Sequence, residues 1–299
     1  MSDPDPATAA PTGDVSLACV VLTMGDRPDE LRRAVDSVLA QDGEPIELVV
    51  LGNGSDVPAL PGAARTSRLD ENIGIPAGRN AGVAATTGDV VLFLDDDGWY
   101  PDTSLADHLR EAFAREPRLG IVSMQVVDPE GGAGQQRHVP RLGRTDAAAS
   151  SEVTTFLGGA SAVRRAVLDE VGGLPGPFFF GHEESDLAWR ALDAGWRIRY
   201  DAQARMCHPS VPAARHAAYY RLNARNRAWL VRRNLPWTLA VLHLLVWSAI
   251  TGVRLRFGRS YLVWLAGLRE GLRTDAGPRR PIRWRTAWRM TRLGRPPIL

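Results

Sequence analysis

The sequence predicts an α/β protein, a mostly parallel sheet flanked by helices, followed by a C-terminal helical extension that associates with a membrane. Two patterns carry that prediction. From Val15 onward, short apolar runs alternate with stretches of helical periodicity, the order expected when helices cover a parallel sheet. From Arg215 onward the chain holds 18 of its 36 basic residues but only 2 of its 34 acidic ones, interleaved with long apolar runs. The expected organisation is a disordered leader over residues 1–14, a sheet domain over 15–215 and an arginine-rich helical extension over 216–299.

Each element has a local reason. Leu17 to Leu22 is an unbroken apolar run, as a strand buried on both faces requires. Asp29 to Gln41 sets Leu31, Ala34, Val35, Val38 and Leu39 at helical spacing, and Pro28 suits a helix start. Ile46 to Leu51 repeats the strand signal and ends in Gly-Asn-Gly-Ser-Asp, residues that favour a turn. After a less regular stretch, Pro76 to Thr86 reads as a small-residue helix, and Val90 to Leu94 as a third strand running into Asp95, Asp96 and Asp97. Thr103 to Arg115 fits a helix and Ile121 to Val127 a strand. Gly131 to Ser151 reads as a long irregular excursion, a kind of loop that is often functional. Val163 to Val171 and Glu183 to Ala194 read as helices and Trp196 to Tyr200 as a short edge strand, with the sheet domain ending near His208.

Composition narrows the classes. At 44% hydrophobic and 23% charged, 299 residues make an ordinary globular chain with ample core. Two cysteines, Cys19 and Cys207, are too few for a disulfide framework, so a reducing cytoplasm is expected. The first residues hold no basic segment followed by an apolar run, so no secretory signal is expected. A net charge of +2 conceals an acidic first two thirds and a basic tail. No lysine occurs, and guanidinium alone suits bidentate contact with phosphate.

In an open α/β sheet, ligands sit beyond the carboxyl ends of the strands, where three aspartates stand here. Asp95 and Asp97 fall on one side of an extended backbone, offering two carboxylates to a divalent ion whose other positions take diphosphate oxygens. A solvated acidic turn is the plain alternative; the position directly after Val-Val-Leu-Phe-Leu favours the metal. A second acidic group, Glu183, Glu184 and Asp186, opens a helix, where capping alone would account for it. Phe178 to Phe180 precede it, and an apolar wall raises a carboxylate's pKa toward general-base values. His208 is a candidate to complete the metal's ligands or bind the diphosphate, although a lone histidine is more often structural.

Val-Val-Leu-Thr-Met-Gly-Asp-Arg-Pro, Glu-Asn-Ile-Gly-Ile-Pro-Ala-Gly-Arg-Asn, the Asp95–Asp97 run, Phe-Leu-Gly-Gly-Ala, Gly-His-Glu-Glu-Ser-Asp and Asn-Ala-Arg-Asn-Arg-Ala-Trp, in that order, resemble inverting family 2 of the glycosyltransferases, of the bacterial rhamnosyl- and galactofuranosyl-transferring kind. The resemblance covers about residues 15 to 230 and implies a GT-A (Rossmann-like) catalytic domain over 15–215. It implies a nucleotide-sugar donor, UDP- or dTDP-linked, and Mg²⁺ or Mn²⁺. Thr23, Asp26 and Arg27 then contact the nucleotide, Asn72, Gly74, Arg79 and Asn80 close over the donor, and Arg79 meets the diphosphate. Otherwise Arg79 is an ordinary helix-surface arginine. Asp95 and Asp97 match the metal motif, Asp97 as direct ligand and Asp95 nearer the ribose, with Asp96 beside them on the donor. Gly158, Gly159 and His182 fall at the acceptor, Glu184 at the general base, and Glu183 and Asp186 support it. One departure stands out: Gly52 replaces the aspartate that family members commonly use to read the base, leaving Asn53 or Asp56 as substitutes.

Residues 235–253 carry no charge. As a helix they would be about 28 Å long against a hydrocarbon core of about 30 Å. Pro236, His243 and basic flanks weaken a span. With Tyr261 to Leu268 and the Arg269 to Arg295 tail, the expectation is peripheral or monotopic attachment to an anionic membrane surface, on its cytoplasmic face. That would bring the site to lipid-linked or cell-envelope glycan acceptors. The alternative is a helical hairpin packed on the catalytic domain with solvated arginines. A nucleotidyltransferase would want a glycine-rich basic loop after the first strand, which is missing. Nucleic-acid binding is disfavoured because the tail mixes arginine with apolar runs and tryptophan.

Overall fold

The computed structural model describes residues 15–129, 138–142, 146–209 and 218–299; the expected leader and parts of the expected excursion lie outside the described residues. In chain order the strands are β1 (Leu17–Thr23), β2 (Glu47–Asn53), β3 (Arg65–Leu69), β4 (Val90–Asp95), β5 (Leu119–Val127), β6 (Ser151–Glu152), β7 (Ala160–Arg164) and β8 (Arg197–Cys207). They form one sheet in the order β3-β2-β1-β4-β7-β5-β8-β6. Strands β3, β2, β1 and β4 run parallel, β7 is antiparallel to both β4 and β5, and β8 is parallel to β5. The carboxyl ends of β1, β2 and β4 therefore open on one edge.

Helices cover both faces. Against one face lie α1 (Pro28–Leu39) and α3 (Leu105–Arg115), whose Leu31, Val35, Leu109 and Phe113 join Cys19, Val21 and Leu92 in one cluster. The other face packs Val20 and Phe93 with α4 (Arg165–Val171), α5 (Glu183–Asp193) and the buried residues of α6 (Tyr219–Asn234). Burial on both sides is why β1 and β4 are continuous apolar runs. Helix α2 (Ile75–Ala84) lies unusually close to β1: a Cβ on Gly78 or Gly82 would run into the side chains of Leu22 and Val20. Small residues there let the helix approach the strand.

Three expectations are corrected. Val163 and Arg164 end strand β7 instead of starting a helix, because they pair with Val91 and Val90. The expected short edge strand is longer and internal: β8 runs on to Cys207 by pairing Arg205 to Cys207 with Gln125 to Val127, and the two-residue β6 lies outside it. The expected irregular stretch before α2 contains the polar, exposed strand β3, since Arg-Thr-Ser-Arg-Leu has no buried face to announce it.

Beyond α6 come α7 (Trp237–Arg254), α8 (Arg259–Arg273) and α9 (Trp284–Arg292). Helix α6 is bound into the sheet unit by a fully buried carboxylate: Asp186 accepts from Arg190, from Arg233 at 2.8 Å and from Asn234 at 2.6 Å. Removing such a set of partners would strand a buried charge. Many tail arginines are likewise used inside the fold, Arg232 on the carbonyls of Gly271 and Thr274 and Arg279 on those of Arg232 and Leu235, so the arginines are neither uniformly solvated nor uniformly lipid-facing.

Candidate active site

The turn after β4 is held by a backbone bridge. Trp99 N–H donates to the Cys207 carbonyl and Cys207 N–H to that of Trp99, which pins Asp95 to Asp97 against the end of β8 and brings His208 to them. His208 Nε2 lies 3.1 Å from Asp97, and Asp95, Asp97 and His208 each place a ligand atom within 4.8 Å of the others. Nδ1 of His208 sits 2.7 Å from the Pro209 carbonyl, where only its N–H can serve, so Nε2 is the nitrogen left for a cation. Two carboxylates and one imidazole suit a hard to borderline divalent ion.

Asp96 points the other way, into the protein. It accepts from Thr23 Oγ1 at 2.7 Å and from Arg27 at 2.8 Å, and burial still lifts its carboxyl to about 6. Arg27 also pairs with Asp97. Burial would raise Asp97, but the hydrogen bond and charge of His208, helped by Arg27, outweigh it and hold Asp97 below its ordinary value. Burial is the largest single influence on His208 and depresses it, but the hydrogen bond and charge of Asp97, the charge of Asp95 and the Pro209 carbonyl together outweigh it, so the imidazole sits above its usual range.

The second acidic group is delivered by a tight turn. Phe179 and His182 hold φ of 64° and 72°, left-handed values that non-glycine residues rarely adopt. The turn is clamped from two sides: Phe179 O accepts from Ile75 N–H at 2.8 Å, and the buried Asn226 amide donates to the carbonyls of Phe178, Phe180 and Gly181. Glu183 is 2% exposed with one carboxylate oxygen unpartnered among the described residues; burial, then the charge of Glu184, pushes its carboxyl up to about 8. Burial raises Glu184 as well, against the opposing charge of Arg79. Glu184 lines an open cavity of about 270 Å³ together with Gly158, Thr155, His182, Ser185 and Arg295.

Gly158 and Gly159 join the two acidic groups. A Cβ on Gly158 would overlap Arg79 Nη1 and Glu184 Oε1, and one on Gly159 would overlap the Asp95 carboxylate. Arg79 completes the link with a 2.9 Å pair to Asp95. Its side chain is 6% exposed, which overturns the helix-surface alternative for this residue.

Other candidate residues fall elsewhere. Asp186 turns away from the cavity into its arginine and asparagine partners. Asn53 is buried and occupied: its amide donates to Asn72 Oδ1 at 2.9 Å and its oxygen accepts from Ile73 N–H at 3.0 Å. Asn72 also caps Gly74 N–H, so these residues shape the loop over α2. Asp56 is exposed and paired with Arg68, and Asp26 is exposed near Arg27. Asn80 staples α2 to Leu174 through 2.7 and 2.9 Å bonds. Gly52 has a steric reason: a Cβ there would lie 2.0 Å from the Ser55 carbonyl oxygen, so this loop path admits no side chain. The sequence reading did not select Thr155, Ser185 or Arg295 as site residues. Arg295 carried no local signal, since only the return of the chain after α9 brings it to the cavity.

Residues 19–172 match the family model for glycosyl transferase family 2. The chain belongs to that family. The O-antigen biosynthesis protein RfbC of Myxococcus xanthus is 28% identical over 252 residues, 73% of this chain and 20% of that protein. The pre-mycofactocin glycosyltransferase of Mycobacterium tuberculosis is 27% identical over 228 residues, 70% of this chain and 45% of that protein. The chain thus spans a fifth to under half the length of these relatives. Among solved structures, the mannosyltransferase PcManGT from Pyrobaculum calidifontis in complex with GDP-Man and Mn²⁺ superposes with a TM-score of 0.57 at 21% identity, covering 91% of each chain. The fold of this family 2 member is accordingly GT-A.

Proposed function

We propose that this family 2 chain is an inverting glycosyltransferase that moves a hexosyl or deoxyhexosyl group from a UDP- or dTDP-linked donor to an acceptor hydroxyl. The observation that carries the reading is the meeting of two acidic groups across Gly158 and Gly159, one fit for a cation and one held at raised pKa beside an open cavity. Asp95, Asp97 and His208 would hold Mg²⁺ or Mn²⁺, in keeping with the Mn²⁺ bound by PcManGT. When bound, the ion neutralises the charge gathering on the leaving diphosphate. Arg79, buried beside Asp95, is placed to add charge there. Glu184 takes the proton from the acceptor hydroxyl; that oxygen bonds to the anomeric carbon as the opposite carbon–oxygen bond breaks and its electron pair leaves with the diphosphate. The anomeric configuration inverts. The test is Glu184→Gln: transfer falls by about 10²–10⁴-fold while donor affinity is kept. Undiminished transfer by that variant contradicts the assignment.

The acceptor proposed is a lipid-linked or cell-envelope glycan, in line with the O-antigen name of the Myxococcus relative. The extension supports work at the cytoplasmic membrane face. Helix α7 is the one helix among the described residues long and apolar enough to cross a membrane. Its buried residues are Ala240, His243 and Gly252, whereas Val241, Leu245 and Val253 are 54%, 64% and 68% exposed. Exposed Leu262 of α8 and Trp284 and Trp288 of α9, with Arg254, Arg256, Arg269 and Arg285 also exposed, extend an apolar and cationic surface suited to anionic lipid. Carbonate washing should release the protein from membranes; retention in the pellet would instead indicate a span.

A further inference from the structure

Behind the Glu184 cavity lies a smaller one of about 60 Å³, by the usual measure room for several waters or one small oxyanion. Its walls come from separate parts of the chain: Thr154, His182 before α5, Arg227 of α6, Trp247 of α7 and Arg295. Four polar atoms of these residues, Thr154 Oγ1, His182 Nε2, Arg227 Nε and Trp247 Nε1, are buried with no hydrogen-bond partner among the described residues. Buried groups in native proteins are nearly always paired, and an indole or guanidinium nitrogen is a donor only, so what completes them must accept.

The charge asks for the same thing. Arg227 is 6% exposed, and neither it nor Arg295 has a carboxylate within ion-pair distance among the described residues. The guanidinium is locked from behind: Nη1 donates to His243 Nε2 at 2.9 Å, His243 Nδ1 donates to the Pro297 carbonyl at 2.6 Å, and the Trp247 ring lies 3.7 Å from it. Burial, reinforced by the nearby Arg295 charge, pushes Arg227 down to about 9, still cationic at neutral pH, and burial pushes His243 to about 3, so that it is neutral. One rigidly held cation, a second guanidinium lining the same cavity and orphan donors around them form a cradle for a doubly charged anion.

We infer that this inner pocket binds a phosphate group carried by the acceptor; this rests on the glycosyltransferase reading above. The inner and outer cavities share Thr155, His182, Ser185 and Arg295, so a molecule anchored by its phosphate extends toward Glu184. The donor's own diphosphate belongs on the far side of Gly158 and Gly159, with Asp95 and Asp97.

The experiment is thermal-shift titration of the metal-free full chain with inorganic phosphate, glucose 1-phosphate and glucose at constant ionic strength. Wild-type protein and the Asp97→Ala variant should show a saturable rise in Tm with phosphate. Arg295→Gln should weaken binding by about tenfold, the worth of one charge-assisted hydrogen bond. Arg227→Gln should do the same if it folds; Arg295, only half buried, keeps the test available if it does not. Glucose 1-phosphate should bind no more weakly than phosphate, and glucose should not bind. No saturable shift, or an equal shift in Arg295→Gln, overturns the pocket. Phosphate binding with glucose 1-phosphate excluded marks a site for the free ion and overturns the acceptor assignment. Loss of phosphate binding with sugar transfer intact defeats this inference alone, whereas intact phosphate binding without any transfer defeats the enzymatic reading and with it the acceptor assignment, leaving only a phosphate pocket.

Discussion

The two sides of the cleft are built by different means. On the proposed donor side, Asp95, Asp96 and Asp97 share one turn and are completed by Thr23, Arg27 and His208 near the ends of β1 and β8 and by Arg79 of α2. On the proposed acceptor side, Thr154, Glu184, Arg227, Trp247 and Arg295 come from separate elements over the second half of the chain. The first side gathers carboxylates and an imidazole fit for a cation; the second sets a carboxylate of raised pKa before a cationic pocket.

The largest effect should come from breaking the donor side. Asp97→Ala removes a ligand atom and frees Arg27 and His208, and we expect the metal-dependent rate to fall by roughly three orders of magnitude or more, as the loss of several kcal/mol of charge stabilisation implies. Steady-state transfer across a Mn²⁺ titration checks it. Glu184→Gln comes next and differs in kind, lowering kcat without donor affinity. At the boundary, Gly159→Ala should displace the Asp95 carboxylate and cost about 10²-fold in kcat while Tm moves little, because the atoms that must give way are side-chain ends. Rates and melting curves on the same preparation separate the two readouts.

On the acceptor side, Asn226→Ala deletes the amide that satisfies three carbonyls of the turn before Glu183 and should cost about 1–3 kcal/mol of stability. Urea denaturation measures it. The smallest effects are those of pH. Because Glu184 titrates above an ordinary glutamate, the rate should fall as pH drops through that raised value, where the base becomes protonated. Glu183 has the corresponding stability signature. The unfolded carboxyl ionises near 4.5, whereas the folded one keeps its proton to about 8, so the native state loses stability as pH rises across that interval. Glu183→Gln should therefore gain Tm over wild type at pH 8 relative to pH 5; equal gains at both would contradict the burial assigned to Glu183.

This asymmetry also explains what could be read from the chain in advance. The Asp95 run after an apolar strand and the Glu183–Glu184 pair at a helix start are local patterns, and so are β1, β2, β4 and most helices. Strand β3 carries its information in pairing to β2 alone, and the later half of β8 in pairing to β5. Nothing in the neighbours of Arg79 says that it is buried, since only the arrival of Asp95 and Gly158 makes it so. Arg227, Thr154 and Arg295 become a set only when α6, α7 and the chain after α9 close over α5, and in sequence they are unremarkable arginines and a threonine.

The most direct test of the proposed chemistry is electron paramagnetic resonance of free Mn²⁺ during titration with protein and UDP or dTDP. Wild-type protein should deplete the free-ion signal beyond what the nucleoside diphosphate alone removes, and Asp97→Ala should add nothing to that depletion. Equal depletion by both proteins, or none by either, would contradict a cation held at the end of β4.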